Sequence, residues 1–506
     1  MTILDVLDRH AHERPAERAV VEIGADGRVR ELTWAALASE SDQVAGALAS
    51  LGVGNGDTVA FQLPNQINFL TIALATLRLG AVCEPLMPIF RERELSFMLR
   101  ESAARVLFVR GVFRGRDYAA MAAGLRSELP ALEHVIVVDG DAPTGEGAPD
   151  VPGPGPEQIA QLLFTSGTSG EPKGALHRHD ALMRAADHHI DHFGLSGDDV
   201  IYVPSPLAHQ TGFLYGMWIA IRLGAAQVLQ EVWDADVGLD AMRRFGVTFV
   251  QAATPFLADL TRVADDRGET PERLRTFVAT GAAIPRELAR RSRQVLDAEV
   301  GGAWGTTESC LGCAFAPGDD AELAWGTDGR ALSGVRLRVV DDEGRMLAPG
   351  EEGNFEVHTD CLFVGYLNRP ALTAEVVTED GWYRTGDLAR IDRSGYVRIT
   401  GRVKDVINRG GEKVPVAEIE QLLHAHPAVR DVAIVAMPDE RLGERACAFV
   451  VGELEFDTML EYLDSHRVSK TYWPERLELV PSLPRTPSGK IQKFLLRERA
   501  RDFVTA

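Results

Sequence analysis

One stretch of the sequence, LLFTSGTSGEPKG at 162–174, places hydroxyl side chains, glycines and a lysine behind a short apolar run. The glycines let backbone N–H groups turn towards an anion, and Lys173 adds a positive point charge. The stretch is not a Walker A loop, because G-x-x-x-x-G-K-[ST] has no match and Pro172 occupies a glycine position of that motif. It predicts a phosphate-binding loop after a strand, with a flexible Ser/Gly linker as the alternative. The predicted phosphate-binding residues are Thr165, Ser166, Gly167, Thr168, Ser169, Gly170 and Lys173.

Four later stretches add carboxylate and cationic side chains of the kind that bind a nucleotide. Glu308 follows two threonines, and a hard oxygen ligand beside hydroxyls suits Mg²⁺ held against phosphate oxygens. Asp387 follows a glycine turn, where a carboxylate can accept both hydroxyls of a ribose. Arg402 and Lys404 precede a diglycine loop, and Lys490 stands on a turn framed by proline and glycine. Each stretch alone is also typical of a surface turn, a helix cap or a solvated charge. The stretches are GAWGTTES (302–309), GWYRTGDLARID (381–392), GRVKDVINRGGEKV (401–414) and PRTPSGKIQKF (484–494).

The elements that must position these residues alternate between helix and strand. Apolar residues at helical spacing over 33–52 end at Gly52, DTVAFQLPN (57–65) is a short strand, and FLTIALATLRLG (69–80) is a second helix. Such alternation predicts a parallel sheet covered by helices. IAIRLGAAQVL (219–229) repeats the Arg-Leu-Gly-Ala of ATLRLGAVCEPL (75–86), which indicates two similar subdomains.

Two changes of composition divide the chain further. The segment 139–158 is rich in Pro, Gly and acidic residues and predicts a linker or mobile loop. From about residue 330 the sequence is typical of β-strands joined by DEG and PGEEG turns, and a boundary is predicted near 399–411. The predicted fold class is α/β: a large N-terminal domain of two similar α/β subdomains plus a β-rich subdomain, at 1–401. A small, mobile α+β lid follows at 402–506, with its hinge near Lys404.

Composition excludes some classes of function. The formal net charge of -21 argues against general nucleic-acid binding, which requires a basic surface. The N-terminal residues lack the apolar core of a signal peptide, and the most apolar stretch, FLTIALATL (69–77), is too short to span a bilayer. The 5 cysteines are few and odd in number, so a disulfide framework is not expected. These features predict a cytoplasmic protein without integral membrane association.

Taken together and in this order, the five motifs resemble the adenylate-forming superfamily of acyl-CoA synthetases, peptide-synthetase adenylation domains and luciferases. The resemblance runs nearly from end to end. It implies an enzyme that uses ATP, Mg²⁺ and coenzyme A, first forming an acyl-adenylate with release of pyrophosphate and then passing the acyl group to the CoA thiol. An acyl-carrier protein remains an alternative acceptor. Luciferase-like oxygen chemistry and a non-catalytic binding role are the other classes considered. Against the non-catalytic role, Lys490, Glu308 and Asp387 are all present.

Three parts of the sequence correspond to the family's nucleotide-binding residues. The loop from Thr165 to Lys173 would close over the β- and γ-phosphates of ATP. Trp304 takes the place where the family usually has tyrosine and would stack on the adenine. Asp387 would bind the ribose, with Arg402 close by. The AMP-binding set implied by the resemblance is Gly281, Ala282, Ala283, Trp304, Gly305, Thr306, Asp387 and Arg402.

The remaining correspondences concern catalysis and lid movement. Thr307 would contact the α-phosphate, and Glu308 would hold Mg²⁺. Lys490 would lie between the substrate carboxylate, the ribose and the α-phosphate during the first half-reaction, and the lid would swing about Lys404 for the second. The implied catalytic set is Lys490, Thr307, Glu308 and His209.

The stretch SPLAHQTGFLYGMW (205–218) carries the expectations about the acid. His209 would be a gate near the carboxylate and the CoA tunnel, with a core or cap histidine as the alternative. An amino-acid-activating domain places an aspartate just after this point, whereas this chain has Gln210 and Thr211, so an amino-acid substrate is disfavoured. This stretch resembles the corresponding sequence of cyclohexanecarboxylate-CoA ligases and short- to medium-chain fatty acyl-CoA synthetases. The resemblance implies an alicyclic, aromatic or short- to medium-chain acid. The predicted acyl-pocket residues are His209, Gln210, Gly212, Phe213 and Met217.

Overall fold

The protein is described by a computed structural model that covers residues 1–147, 152–165, 172–281, 284–410, 412–439, 441–485 and 490–503. Its α-helices are α1 Ile3–Glu13, α2 Trp34–Ser50, α3 Ile67–Arg78, α4 Glu92–Ser102, α5 Tyr118–Arg126, α6 His179–Phe193, α7 Gln210–Gly212, α8 Ile219–Leu223, α9 Ala235–Phe245, α10 Thr254–Arg267, α11 Arg286–Leu296, α12 Ala321–Gly326, α13 Pro370–Val376, α14 Val416–His424, α15 Phe456–Ser465 and α16 Lys493–Arg501. A π-helix spans Phe213–Trp218, and 3₁₀ turns span Val403–Asp405 and Lys470–Tyr472.

The strands of the first half are β1 Arg18–Ile23, β2 Val29–Thr33, β3 Thr58–Gln62, β4 Val82–Pro85, β5 Val106–Val109, β6 Val112–Phe113, β7 Arg116–Asp117, β8 His134–Val137, β9 Ile159–Thr165, β10 Lys173–Arg178, β11 Val200–Val203, β12 Ala226–Gln230 and β13 Phe249–Ala253. Those of the second half are β14 Thr276–Thr280, β15 Glu299–Thr306, β16 Cys310–Ala314, β17 Arg330–Ala331, β18 Val335–Val340, β19 Gly353–Thr359, β20 Gly365–Tyr366, β21 Tyr383–Ile391, β22 Val397–Arg402, β23 Ile407–Arg409, β24 Glu412–Val414, β25 Val429–Asp439, β26 Gly443–Gly452 and β27 Arg476–Leu479.

Two large sheets form the α/β body and confirm the predicted fold class. One has 9 strands in the order β17-β16-β15-β14-β13-β11-β12-β1-β2, and its central strands from β15 to β1 run parallel. The other has 7 strands in the order β20-β10-β9-β4-β3-β5-β8, with β9, β4, β3, β5 and β8 parallel. Helices between consecutive parallel strands are what such crossovers require.

The repeated Arg-Leu-Gly-Ala marks the same local structure in both sheets. Gly80 follows α3 with φ +67°, and Gly224 follows α8 with φ +70°. Glycine adopts this left-handed conformation without the Cβ clash that penalises other residues, so it ends each helix and directs the chain into β4 or β12. The two α/β halves are therefore alike at these helix exits.

The main core lies between the two sheets. All residues of α3 from Ile67 to Leu77 are buried, and so is the whole π-helix Phe213–Trp218. These helices share one hydrophobic cluster with α2 and α6 and with strands of both sheets. A helix that is apolar on every side needs such a position, because it has no face for water.

After about residue 330, where the sequence predicts β-strands, the chain forms two smaller sheets. Strands β18, β19, β21 and β22 form a 4-stranded antiparallel sheet, and β23 to β27 form a separate 5-stranded sheet with its own apolar clusters. In the predicted linker, the described residues of 139–158 have no helix or strand, but Gly145 N–H bonds the Gln43 carbonyl on α2 at 2.8 Å. Across the described residues, no helix is both long enough and apolar enough to cross a membrane.

Candidate active site

A cavity opens at the carboxyl ends of three neighbouring parallel strands, where crevices for ligands are expected in α/β folds. The cavity has a volume of about 70 Å³ and is partly open to solvent. Ala253, Thr280 and Thr306, at the ends of β13, β14 and β15, contribute to its wall. Lys490, from the C-terminal segment, lines the same cavity. The full lining is Ser205, Pro206, His209, Gln210, Thr211, Tyr215, Gln251, Ala253, Phe256, Thr280, Gly281, Gly305, Thr306, Thr307, Leu311 and Lys490.

The predicted phosphate loop joins two antiparallel strands. Thr165 ends β9 and is paired in register with Lys173, which begins β10. The Lys173 ammonium lies 5.3 Å from the centre of the Tyr366 ring. Burial and the nearby Lys404 lower the pKa of Lys173, and Glu308 partly opposes the shift. Lys173, Lys404 and Glu308 are thus close enough to act on one charged ligand. The loop residues Ser166, Gly167, Thr168, Ser169 and Gly170 lie outside the described residues.

Glu308 and the backbone beside it are held by residues that are not among the predicted site residues. Its carboxylate accepts a 2.7 Å hydrogen bond from the Tyr366 hydroxyl, and its carbonyl accepts one from Phe363 N–H at 2.8 Å. The preceding Thr307 carbonyl lies 2.8 Å from Nε2 of His177. Burial lowers the pKa of His177 to about 4, so the ring is neutral and donates to that carbonyl from Nε2. Carboxylate and hydroxyl oxygens are ligands that fit Mg²⁺, so the residues present fit that cation.

The predicted ribose-binding carboxylate is fixed at both oxygens. Asp387 Oδ1 accepts from Arg402 Nε at 2.9 Å, and Oδ2 accepts from the Trp304 indole N–H at 2.8 Å. The Trp304 ring packs edge-on against Phe355, with centroids 4.8 Å apart. The indole therefore positions Asp387, a role that the sequence did not indicate. Adenine stacking by Trp304 stays a prediction.

Lys490 shares this electrostatic environment. Burial and the neighbouring Arg402 lower its pKa, whereas Asp387 and Glu308 raise it. A buried cation interacts more strongly with an anion that enters than an exposed one does. Lys490, Arg402, Asp387 and Glu308, which lie far apart in the sequence, are brought together as the resemblance implied.

His209 stands at the entrance to a short helix. Its Nδ1 accepts a 3.2 Å hydrogen bond from the Thr211 backbone N–H, which caps α7. Burial first, and then Lys490, lower the pKa of His209 to about 4. A neutral imidazole that accepts at Nδ1 carries its proton on Nε2. His209 is therefore both a helix cap and a cavity-lining donor. The interpretation as a gate and the interpretation as a cap histidine are thus compatible.

Part of the predicted acyl pocket lies in the wall of this cavity, and the assignment of the pocket stays a prediction. His209 and Gln210 line the cavity, but Gly212, Phe213 and Met217 do not belong to its lining. Phe213 is fully buried, with its ring 5.7 Å from that of Trp218, and Met217 is fully buried in the same apolar cluster. The π-helix turns these side chains into the core. The wall is formed instead by Tyr215, Gln251, Phe256 and Leu311, on elements that no single sequence motif connects.

The adenine turn is described only in part. Gly281 lines the cavity with φ +87°, whereas Ala282 and Ala283 lie outside the described residues. Gly305 and Thr306 also line the cavity, at the end of β15. Of the predicted AMP-binding residues, Gly281, Gly305 and Thr306 therefore line the cavity.

Comparison with known proteins accounts for this arrangement. Residues 7–367 match the AMP-binding enzyme family, and residues 418–490 match the AMP-binding enzyme C-terminal domain. A medium-chain fatty-acid–CoA ligase from Escherichia coli K12 is 36% identical over 98% of this chain and 90% of the relative. Salicyl-AMP ligase / salicyl-S-ArCP synthetase from Mycobacterium tuberculosis is 36% identical over 97% of this chain and 89% of the relative.

Among solved structures, ATP-bound MatB from Rhodopseudomonas palustris is 27% identical, with a TM-score of 0.89 and coverage of 100% of both chains. The apo form of the same protein has a TM-score of 0.77, again over 100% of both chains. This chain is therefore arranged more like the ATP-bound form than like the apo form. It belongs to the AMP-binding enzyme family of adenylate-forming ligases, in the acyl-CoA synthetase branch.

Proposed function

We propose that the chain is an ATP-dependent acyl-CoA ligase for an alicyclic, aromatic or short- to medium-chain acid. The observation that carries the proposal is the convergence of Lys490 with His209 and Thr307 on one cavity. The acid is activated as acyl-AMP with release of pyrophosphate, and the acyl group then passes to the CoA thiol. Relatives named as CoA ligases support CoA as the acceptor.

In the first half-reaction, a carboxylate oxygen attacks the α-phosphorus of ATP and pyrophosphate leaves. No general base is needed, because the acid is already ionised at neutral pH. Lys490 and the Thr307 hydroxyl stabilise the negative charge that grows on the α-phosphoryl oxygens. Glu308 would hold Mg²⁺, which supplies charge neutralisation at the phosphates. Asp387 receives the ribose hydroxyls, and Arg402 keeps its carboxylate in position.

In the second half-reaction, the CoA sulfur attacks the acyl carbon and AMP leaves. Lys490 occupies the cavity from the lid side, so the thiol needs a different lid position to enter. We propose that the lid comprises residues 402–506 and turns about Lys404. The unequal likeness to the ATP-bound and apo forms of MatB supports a movement of this kind. Labels on lid and body should change their separation when acyl-AMP and CoA replace ATP. An unchanged separation would contradict the hinge.

A second candidate function is favoured by one relative. The salicyl-AMP ligase / salicyl-S-ArCP synthetase has a name that describes loading of a carrier protein, and it is as similar to this chain as the E. coli CoA ligase. The alternative is a stand-alone adenylating enzyme that loads an acyl-carrier protein. The first half-reaction is common to both functions, so only the acceptor separates them.

The deciding experiment measures pyrophosphate release with ATP and Mg²⁺ over a panel of ring acids, C4 to C12 fatty acids and amino acids, with and without CoA. Release that rises with CoA and yields acyl-CoA supports the ligase. Release without acyl-CoA formation supports the carrier-protein function.

With a substrate in hand, Lys490→Ala should lower pyrophosphate release by at least about 100-fold, as expected when a transition-state cation is removed. Lys493→Ala is the matched control, because Lys493 pairs with Glu420 at 2.7 Å and does not line the cavity. Equal loss in both variants would contradict the role of Lys490.

A further inference from the structure

The wall of the cavity contains a buried amide that is only half satisfied. Gln251 on β13 is 4% exposed, and its Oε1 lies 2.5 Å from Nε2 of His189. Its Nε2 has no hydrogen-bond partner among the described residues. A buried polar group without a partner costs free energy, and at a ligand cavity the missing partner is most simply supplied by the ligand.

His189 keeps that amide in a fixed position. The ring is fully buried and stacks on Tyr215, with centroids 5.2 Å apart and an interplanar angle of 15°. Phe193 and Phe249 pack against it at 4.8 and 5.5 Å. Because three aromatic neighbours fix the orientation of the His189 ring, the hydrogen bond between this ring and one end of the Gln251 amide is retained. The other end remains available, whichever way the amide is oriented.

A second amide at the cavity is in a similar state. Gln210 is 3% exposed and lines the same cavity. Its Oε1 has no partner among the described residues, and its Nε2 has only the Cys310 sulfur at 3.9 Å, a weak acceptor. The apolar part of the wall comes from Ala253, Phe256 and Leu311. The cavity therefore presents, beside this apolar surface, two buried amides that each have an atom without a strong hydrogen-bond partner among the described residues.

We propose that the acid for which this cavity is built carries a hydroxyl group, which the Gln251 amide receives with Gln210 as a second partner. A hydroxyl both donates and accepts, so it satisfies an amide in either orientation. A plain hydrocarbon acid leaves one polar atom of each amide without a partner, and a site that contains such atoms discriminates against that ligand. This inference rests on the proposed function and names the substrate class within it: hydroxylated ring or short-chain carboxylic acids.

The test compares acids that differ only by a hydroxyl: benzoate with the three hydroxybenzoates, cyclohexanecarboxylate with its hydroxy derivatives, and octanoate with hydroxyoctanoates. In at least one pair the hydroxylated acid should have a kcat/KM for pyrophosphate release at least about tenfold higher. Calorimetric binding of the same acids without ATP should give the same preference.

Gln251→Leu should abolish this preference, so that the plain acid has a kcat/KM at least equal to that of its hydroxylated partner. Gln227→Leu is the control, because Gln227 is a fully buried glutamine on β12 of the same sheet and does not line the cavity. Gln227→Leu should leave the ratio of kcat/KM between the hydroxylated and the plain acid unchanged. Plain acids that bind and react as well as their hydroxylated partners, with a ratio unmoved by Gln251→Leu, would overturn the inference while the ligase function stands. Binding with the preference but no pyrophosphate release would instead overturn the proposed function alone.

Discussion

At the scale of single residues, the carboxylate of Asp387 is the best-defined group of the site. Two N–H donors from different strands hold it, one from Arg402 at 2.9 Å and one from Trp304 at 2.8 Å. Because both partners are fixed in β-structure, the carboxylate is aligned before a nucleotide binds. Such preorganisation avoids paying for the alignment during binding.

Trp304→Phe should therefore weaken ATP binding. The ring and its contact with Phe355 are retained, but the hydrogen bond to the 3% exposed Asp387 is lost. A hydrogen bond to a charged group is worth about 1.5 kcal/mol, so the KM for ATP should rise roughly tenfold with little change in kcat. Steady-state kinetics at a saturating concentration of the acid would measure this KM. Trp325→Phe removes an indole bond to the Val300 carbonyl outside the cavity and should leave the KM for ATP unchanged. An unaltered KM in Trp304→Phe would refute the positioning role.

The residues on the nucleotide side could be predicted because each stands within a short turn motif. Glu308, Asp387 and Lys490 are recognisable from their immediate neighbours in the sequence. The residues that hold them could not be predicted, since His177 and Tyr366 reach Thr307 and Glu308 only through the fold. Two further residues of the cavity wall could not be predicted for the same reason. Gln251 and Phe256 lie in ordinary-looking strand and helix sequences.

At the scale of elements, the segment from His209 to Trp218 determines which of the predicted acyl-pocket residues line the cavity. The part of this segment that carries Phe213 and Met217 is π-helical. The π-helical turn changes the direction of these side chains, and the backbone at Gly212 packs directly on the preceding turn. A Cβ at position 212 would lie 2.3 Å from the Pro206 carbonyl oxygen. π-helical turns are often associated with functional sites.

Gly212→Ala should accordingly destabilise the protein and displace His209. The clash is with backbone atoms, which cannot move aside as a flexible side chain can, and overpacking of this kind costs about 1–3 kcal/mol. Thermal melting should move down by several degrees, with a parallel loss of adenylation. Gly124→Ala is the matched control: Gly124 lies on the exposed side of α5 with no atom within 4 Å of a built Cβ. There, alanine should stabilise by up to about 1 kcal/mol. A Gly212→Ala protein as stable as Gly124→Ala would contradict the packing argument.

Helices and their ends were the most predictable elements. The helix predicted over 33–52 is observed as Trp34–Ser50, and that over 69–80 as part of Ile67–Arg78. The pairing of β1 with β12 was not predictable, because about 200 residues separate Val20 from its partner Gln227 and no local pattern records the contact.

At the scale of the whole molecule, the interior contains several histidines that must remain neutral. Burial lowers the pKa of His177, His179 and His209 to about 4 and that of His189 to about 3, from an ordinary value of 6.5. Below pH 6.5 the unfolded chain takes up protons that the folded chain does not. The stability that these groups contribute is therefore present above pH 6.5 and is lost as the pH falls towards 4.

Buried carboxyls act in the opposite direction, because burial also raises the pKa of Glu22, Asp42 and Asp328. Burial raises the pKa of Glu84 to about 8, so its contribution is largest at low pH and falls as the pH rises from about 4.5 to 8. Burial also lowers the pKa of His10 to about 4, and the five imidazoles together outweigh these carboxyls between pH 4.5 and 6.5. Each shifted group changes the free energy of unfolding by up to about 1.4 kcal/mol per pH unit.

The urea midpoint should consequently be clearly lower at pH 5 than at pH 7, at constant ionic strength. His179→Leu offers an internal check, because both ring nitrogens of His179 lack partners among the described residues and the residue does not line the cavity. This variant removes one proton-binding group from the unfolded state, so its midpoint should depend less steeply on pH than that of the parent. A parent midpoint that is the same at both pH values would mean that the buried imidazoles can be protonated in the folded protein, and would refute their neutrality in the core and at the active site.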